Sequence, residues 1–140
     1  MNLVRLSMCA AAALVLGIGA SQAAAQSLDF KFYRTQVEPI FLKKRPGHAR
    51  CVVCHAESTN AFRLQKLPEG STSWTEEQSR MNFENARNLV KPGDPEASRL
   101  LLHPLAQEGG GDLFHSGGRQ FLSKNDPEWK TLADWVRGSK

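Results

Sequence analysis

Cys51-Val52-Val53-Cys54-His55 is the stretch of this sequence whose residue types and spacing could do defined chemistry. On a helix, positions i and i+3 share a face, so two thiols at this spacing can reach the two vinyl groups along one side of a porphyrin. His55, directly after the second thiol, can then bring an imidazole nitrogen to the iron from below. C-x-x-C-H is the signature of covalent haem attachment, and histidine is a standard proximal ligand. One covalently attached haem c is therefore expected, held by Cys51 and Cys54 with His55 on its iron.

Two other chemistries use the same cysteines. A thiol–disulfide redox pair would want the strand and helix surroundings of a thioredoxin-like unit, which the sequence lacks. A zinc site would need two further ligands, which His48, His103 or His115 supply only in part.

For the opposite side of the iron the choices are thioether sulfur or imidazole nitrogen, hence Met81, His48, His103 or His115. Met81 sits at helical spacing among apolar residues and reads as core filling. His48 is too near the attachment motif to swing round the porphyrin edge. His103 precedes Pro104 and suits a helix end. His115 is the expected ligand, because glycines around it let the backbone approach a ring closely and Phe114 beside it can cover one. His103, Met81 and an open position remain as alternatives.

The elements that must position these residues read as helices and loops. Asp29 can cap a helix carrying Phe30, Tyr33, Val37, Ile40 and Phe41 at near-helical spacing, with a bend or restart at Pro39. A basic connector, residues 43–50, leads to the cysteines. Residues 56–78 read as loop anchored by Trp74, then a helix is expected from about Thr75 to Val90, with Met81, Phe83, Ala86, Leu89 and Val90 inward. Lys91-Pro92-Gly93-Asp94-Pro95 breaks it, and Glu96 to His103 reads as another short helix. Gly109-Gly110-Gly111 opens a loop that runs through His115 to Gly118. The last helix has an Asp126 cap, Pro127 in its first turn, a stripe of Trp129, Leu132, Ala133 and Val136, and a stop at Gly138. No stretch alternates cleanly as a strand. The fold class expected is all-α, small, with long loops.

Residues 1–25 read as a secretory signal peptide, with Arg5, an apolar run from Leu6 to Ala20 and small residues Ala23 to Ala25. The run is short for a membrane span, which makes an uncleaved anchor the lesser alternative, and Met8 before Cys9 argues against a lipoprotein site. The mature domain is then residues 26–140, exported to the periplasm or an equivalent compartment, with only Cys51 and Cys54 as cysteines. Losing Arg5 takes the formal charge from +4 to about +3. That excess could help docking to an acidic redox partner and makes no case for nucleic acid.

Three further landmarks carry a resemblance. Val37-Glu38-Pro39-Ile40-Phe41 leads to the C-x-x-C-H site, Pro92-Gly93-Asp94-Pro95-Glu96-Ala97-Ser98-Arg99-Leu100 follows, and Leu132-Ala133-Asp134-Trp135-Val136 closes the chain. Together they cover nearly all of the mature sequence and resemble a family of small bacterial monohaem cytochrome c domains. The resemblance implies a cytochrome c-like fold, N- and C-terminal helices packed together around one haem, with Phe32, Phe41, Trp129 and Leu132 among the contacts. In that family a Met-Pro-Pro stretch usually gives the distal ligand. The comparable place here is His115-Ser116-Gly117-Gly118, which implies two imidazoles on the iron and a lower reduction potential than a thioether would give.

The function implied is single-electron transfer to a redox partner protein, by an electron-transfer protein or haem subunit rather than an enzyme. A haem-based gas sensor would need a weak or mobile distal residue. A peroxidase would need an open iron and a polar distal pair, for which Arg119 is the only hint; that side chain reads as a solvated loop arginine or a partner for a haem propionate.

Overall fold

The backbone begins its first helix on a carboxylate. Asp29 accepts from Phe32 N at 2.6 Å, satisfying one of the donors a helix start leaves free. This computed structural model describes residues 27–56 and 58–138; the segment read as a signal peptide lies outside the described residues.

From that cap, α1 (Phe30–Phe32) runs into a π turn (Tyr33–Val37) and restarts as α2 (Glu38–Leu42). The restart anticipated at Pro39 falls at Glu38, with the proline in the first turn of α2. Proline lacks an N–H and its ring crowds the carbonyl four residues back, and the wider turn takes up the misfit, with Glu38 N donating to Tyr33 O. The Cys51-Val52-Val53-Cys54-His55 stretch forms α3 (Cys51–His55). Helix α4 (Glu76–Arg87) opens on a reciprocal capping box between Thr75 and Gln78. It ends before Val90, and Met81, expected inward, is 40% exposed.

The helix expected over Glu96 to His103 is divided into a 3₁₀ turn (Pro95–Ala97) and α5 (Arg99–Leu102). Ser98 lies between them in extended backbone and is fully buried. Its hydroxyl donates to Asp94 O at 2.7 Å and accepts from Lys91 N at 3.0 Å, so it closes the breaker segment on itself rather than extending a helix. A second 3₁₀ turn, Gln107–Gly109, precedes the glycine-rich loop. Helix α6 (Pro127–Arg137) has the Asp126 cap, first-turn proline and Gly138 stop foreseen from the sequence. No strand occurs among the described residues, and the protein is all-α there. No helix among them is long and apolar enough to cross a membrane.

The two ends of the chain meet in the core. Trp135 of α6 is fully buried, its ring centre lies 5.3 Å from that of Tyr33 and 6.0 Å from that of Phe83, and its Nε1 donates to Asp29 O at 3.1 Å. Tyr33 packs on Trp135, and Phe32 lies half-buried against the same cluster. Phe41, Trp129 and Leu132 are buried, and Trp129 Nε1 donates to Leu101 O at 3.3 Å. The carbonyl of Val136, left free by the end of α6, accepts from Gly93 N at 2.7 Å. Glu38 is an exception among these buried residues: one carboxylate oxygen accepts from Ser79 Oγ at 2.9 Å, while the other has no partner among the described residues. Burial raises its pKa.

Trp135→Ala should destabilise the protein by about 3–5 kcal/mol, the range for deleting a large buried aromatic side chain, and Trp135→Phe by less; urea unfolding of both reads this. Because the folded state binds the Glu38 proton more tightly than the unfolded chain does, the charged carboxyl weakens the fold as pH rises through and above the carboxylate range. Glu38→Gln should therefore raise the urea midpoint at pH 7 and change it little near pH 4. An equal gain at both pH values would contradict that account.

Candidate functional site

His55 is held by the loop that follows it. Leu64, fully buried, returns its N–H to His55 O at 2.9 Å, and His55 Nδ1 lies 2.7 Å from Phe62 O. A carbonyl can only accept, so Nδ1 carries the proton and Nε2 keeps the lone pair. The Phe62 ring lies 4.9 Å from the imidazole, centre to centre, and backs onto Phe41 at 5.0 Å. Cys51 is half-buried and Cys54 exposed, both as free thiols.

His115 is presented by a loop whose frame is made of backbone. Ala106 N donates to Phe121 O at 2.8 Å, Gln120 N to Pro104 O at 2.8 Å, Gly111 N to Ala106 O at 3.0 Å and Asp112 N to Leu102 O at 3.1 Å. Gly111 lies against the Leu105 carbonyl with no room for a Cβ. Gly118 has φ +81° and packs on His48, whose Nδ1 a Cβ would approach to 2.8 Å. The tight turn this allows brings Gly118 O to 2.5 Å from His115 Nδ1. His115 thus has the same tautomer as His55, again with Nε2 free.

The segments on either side of the site are tied together by Arg45. Its buried guanidinium bonds Glu128 at the start of α6 and reaches Gln120 Oε1 at 3.4 Å, over the face of Phe121. Gln120 Nε2 in turn donates to Gly117 O at 3.1 Å and Ala49 O at 3.3 Å. One network therefore joins the connector before the cysteines, the His115 loop and the last helix.

Between them lies a cavity of about 240 Å³, partly open to solvent, to which Cys51, Cys54, His55, His103, His115 and Phe114 all contribute. The rings of His55 and His115 are 6.4 Å apart, centre to centre, and only 14° from parallel. An imidazole nitrogen sits about 2 Å from a first-row metal, so two rings ligating one ion from opposite sides have centres roughly 6 Å apart. The residues present fit a haem: two thiols at i and i+3, two imidazoles at a spacing suited to a shared iron, and apolar walls that include Ile40, Phe41, Leu100 and Leu132. Burial lowers the pKa of both histidines, the hydrogen bond to the Phe62 or Gly118 carbonyl opposes it, and the neighbouring imidazoles, with Arg119 beside His115, lower it further. The net direction favours the neutral imidazole, the form that binds a metal. Burial pushes the Cys51 thiol up, the opposite of what a nucleophilic redox cysteine needs.

The other sequence candidates fall elsewhere. Met81 and His48 do not line the cavity. His103 does, with its ring 5.0 Å from His115 and nearly perpendicular to it, and its Nδ1 2.9 Å from Asp112 Oδ2. Arg119 turns from the cavity and donates to the carbonyls of His103 and Leu105. Among the described residues no group of three or more His, Cys, Asp or Glu side chains is placed to hold a bare metal ion. Sequence reasoning missed Asp112, Phe62 and the Arg45–Gln120–Glu128 network. Only the run of glycines before Asp112 hinted that the chain doubles back there.

Gly111→Ala should destabilise the protein by about 1–3 kcal/mol, since the added methyl meets backbone rather than a movable side chain; thermal or urea unfolding checks it, and a wild-type midpoint would refute the close approach.

No family model, curated protein or solved structure matches this chain.

Proposed function

We propose that this chain is a periplasmic monohaem c-type cytochrome that transfers single electrons, with haem attached through Cys51 and Cys54 and ligated by His55 and His115. The observation that carries the reading is the pair of near-parallel imidazoles, 6.4 Å apart, across a cavity that both cysteines line. Haem c bound there supplies an iron that takes up and gives back one electron. The chain's own part is to present two neutral Nε2 atoms, each fixed by a carbonyl on the other ring nitrogen, and thereby to keep the same ligands in both oxidation states. With His55 and His115 both holding the iron, a bound haem would offer no free site to a substrate, which favours an electron carrier or haem subunit over an enzyme. The raised Cys51 pKa weighs against thiol exchange as the use of these cysteines. Export rests on the N-terminal pattern of residues 1–25, and the partner is another redox protein.

Produced in a host with c-type maturation machinery, the protein should keep its haem on a denaturing gel. It should also show sharp low-spin bands on reduction, with no methionine–iron charge-transfer band. His115→Ala should become high-spin and bind carbon monoxide rapidly, whereas His103→Ala should keep the low-spin spectrum. A colourless protein would sink the cytochrome reading; a low-spin His115→Ala variant would sink the distal assignment alone.

A further inference from the structure

We infer that Arg50 and Arg99 form a carboxylate clamp at the rim of this cavity, one that takes the two propionates of the haem. The inference rests on the cytochrome reading above and adds to it the residues that neutralise the cofactor's own charge.

Three observations carry it. First, the cavity wall is electrostatically one-sided: Arg50 and Arg99 both line it, and no Asp or Glu does. Second, these guanidiniums are unengaged. Arg34, Arg45, Arg80, Arg87 and Arg137 all have carboxylate partners, and Arg119 is spent on two backbone carbonyls. The side chains of Arg50 and Arg99 have no hydrogen bond or ion pair to any described residue; only their main-chain carbonyls are engaged, accepting from Val53 N and His103 N. Among the described residues Arg63 is the third arginine with an unengaged side chain, and it lies off the cavity. Third, both are fixed in place by elements that must be where they are. Arg50 is the residue before α3, and Arg99 opens α5 directly after the buried Ser98.

A group that is apolar over most of its surface but carries two carboxylates cannot be lodged against Ile40, Phe41 and Leu132 unless its charges stay in water or meet cations. Guanidinium suits that task, since its planar fork can give a carboxylate two parallel N–H bonds and stays charged at any working pH. Both arginines are exposed, so their charge carries little burial penalty before the ligand arrives.

The test uses the intact holoprotein with Arg50→Gln, Arg99→Gln, the double variant, the Arg50→Lys/Arg99→Lys pair and Arg63→Gln as a control. A haem-stained denaturing gel is read first. Absence of covalent haem from the wild type would overturn the cytochrome reading and the clamp with it. With haem in place, each Gln variant should shift the equilibrium constant for reduction about threefold to tenfold toward the oxidised form, the size expected of one cation removed from a partly exposed site. The lysine pair should recover much of that, and Arg63→Gln should stay at the wild-type value. The propionate bending band in the resonance Raman spectrum should move in the double variant. Haem attached normally, with that band unmoved and the equilibrium matching the Arg63→Gln control, would overturn the clamp while leaving the cytochrome reading intact.

Discussion

The guanidinium of Arg45 is the point on which the site's two halves depend. Its side chain is only 10% exposed, and an ion so placed must be matched on every side. Glu128 neutralises it, Gln120 accepts from it and Phe121 lies beneath it. Those partners come from the His115 loop and from the start of α6, so one buried charge ties both segments to the connector before the cysteines. Removing one partner leaves a desolvated charge, which is why such a pair fixes relative position even where it adds little net stability. The exposed Lys43, at 2.6 Å from the same Glu128, reinforces the arrangement from outside.

Much of this architecture was legible because it is written in local chemistry. The Asp126 cap, Pro127 and Gly138 bound the last helix within a residue, since each works through its own backbone geometry. The helical spacing of the cysteines was readable for the same reason. What escaped depends on contacts distant in sequence. Trp135 stands as the centre of the core because a tyrosine 102 positions earlier packs on it and a carbonyl 106 positions earlier accepts from it; a stripe of apolar residues does not reveal which member lies deepest. Met81 fitted the same kind of stripe and faces outward. Ser98 divides an expected helix because its hydroxyl is drawn inward to two backbone groups.

The candidate site shows the same division. His55 and His115 could be named from residue type and neighbours, but not their shared tautomer, which Phe62 and Gly118 set through carbonyls. The proximity of His103 to His115 follows from the loop closing on Leu102 and Pro104, a pairing that no periodicity announces. Met81 and His115 were both plausible by chemistry; it is the backbone closure of residues 104–121 that brings one of them to the cavity.

That closure has an evolutionary consequence. The loop's frame consists of main-chain bonds among Leu102, Pro104, Ala106, Gly111, Asp112, Gln120 and Phe121, and none of those bonds uses the side chain at position 115 or its neighbours Leu113 and Phe114, both exposed. On the cytochrome reading, the scaffold would separate where a ligand is presented from what the ligand is. A change at position 115 would cost the bond to Gly118 O but none of the frame's bonds, so selection on redox behaviour would act at that position largely apart from selection on folding.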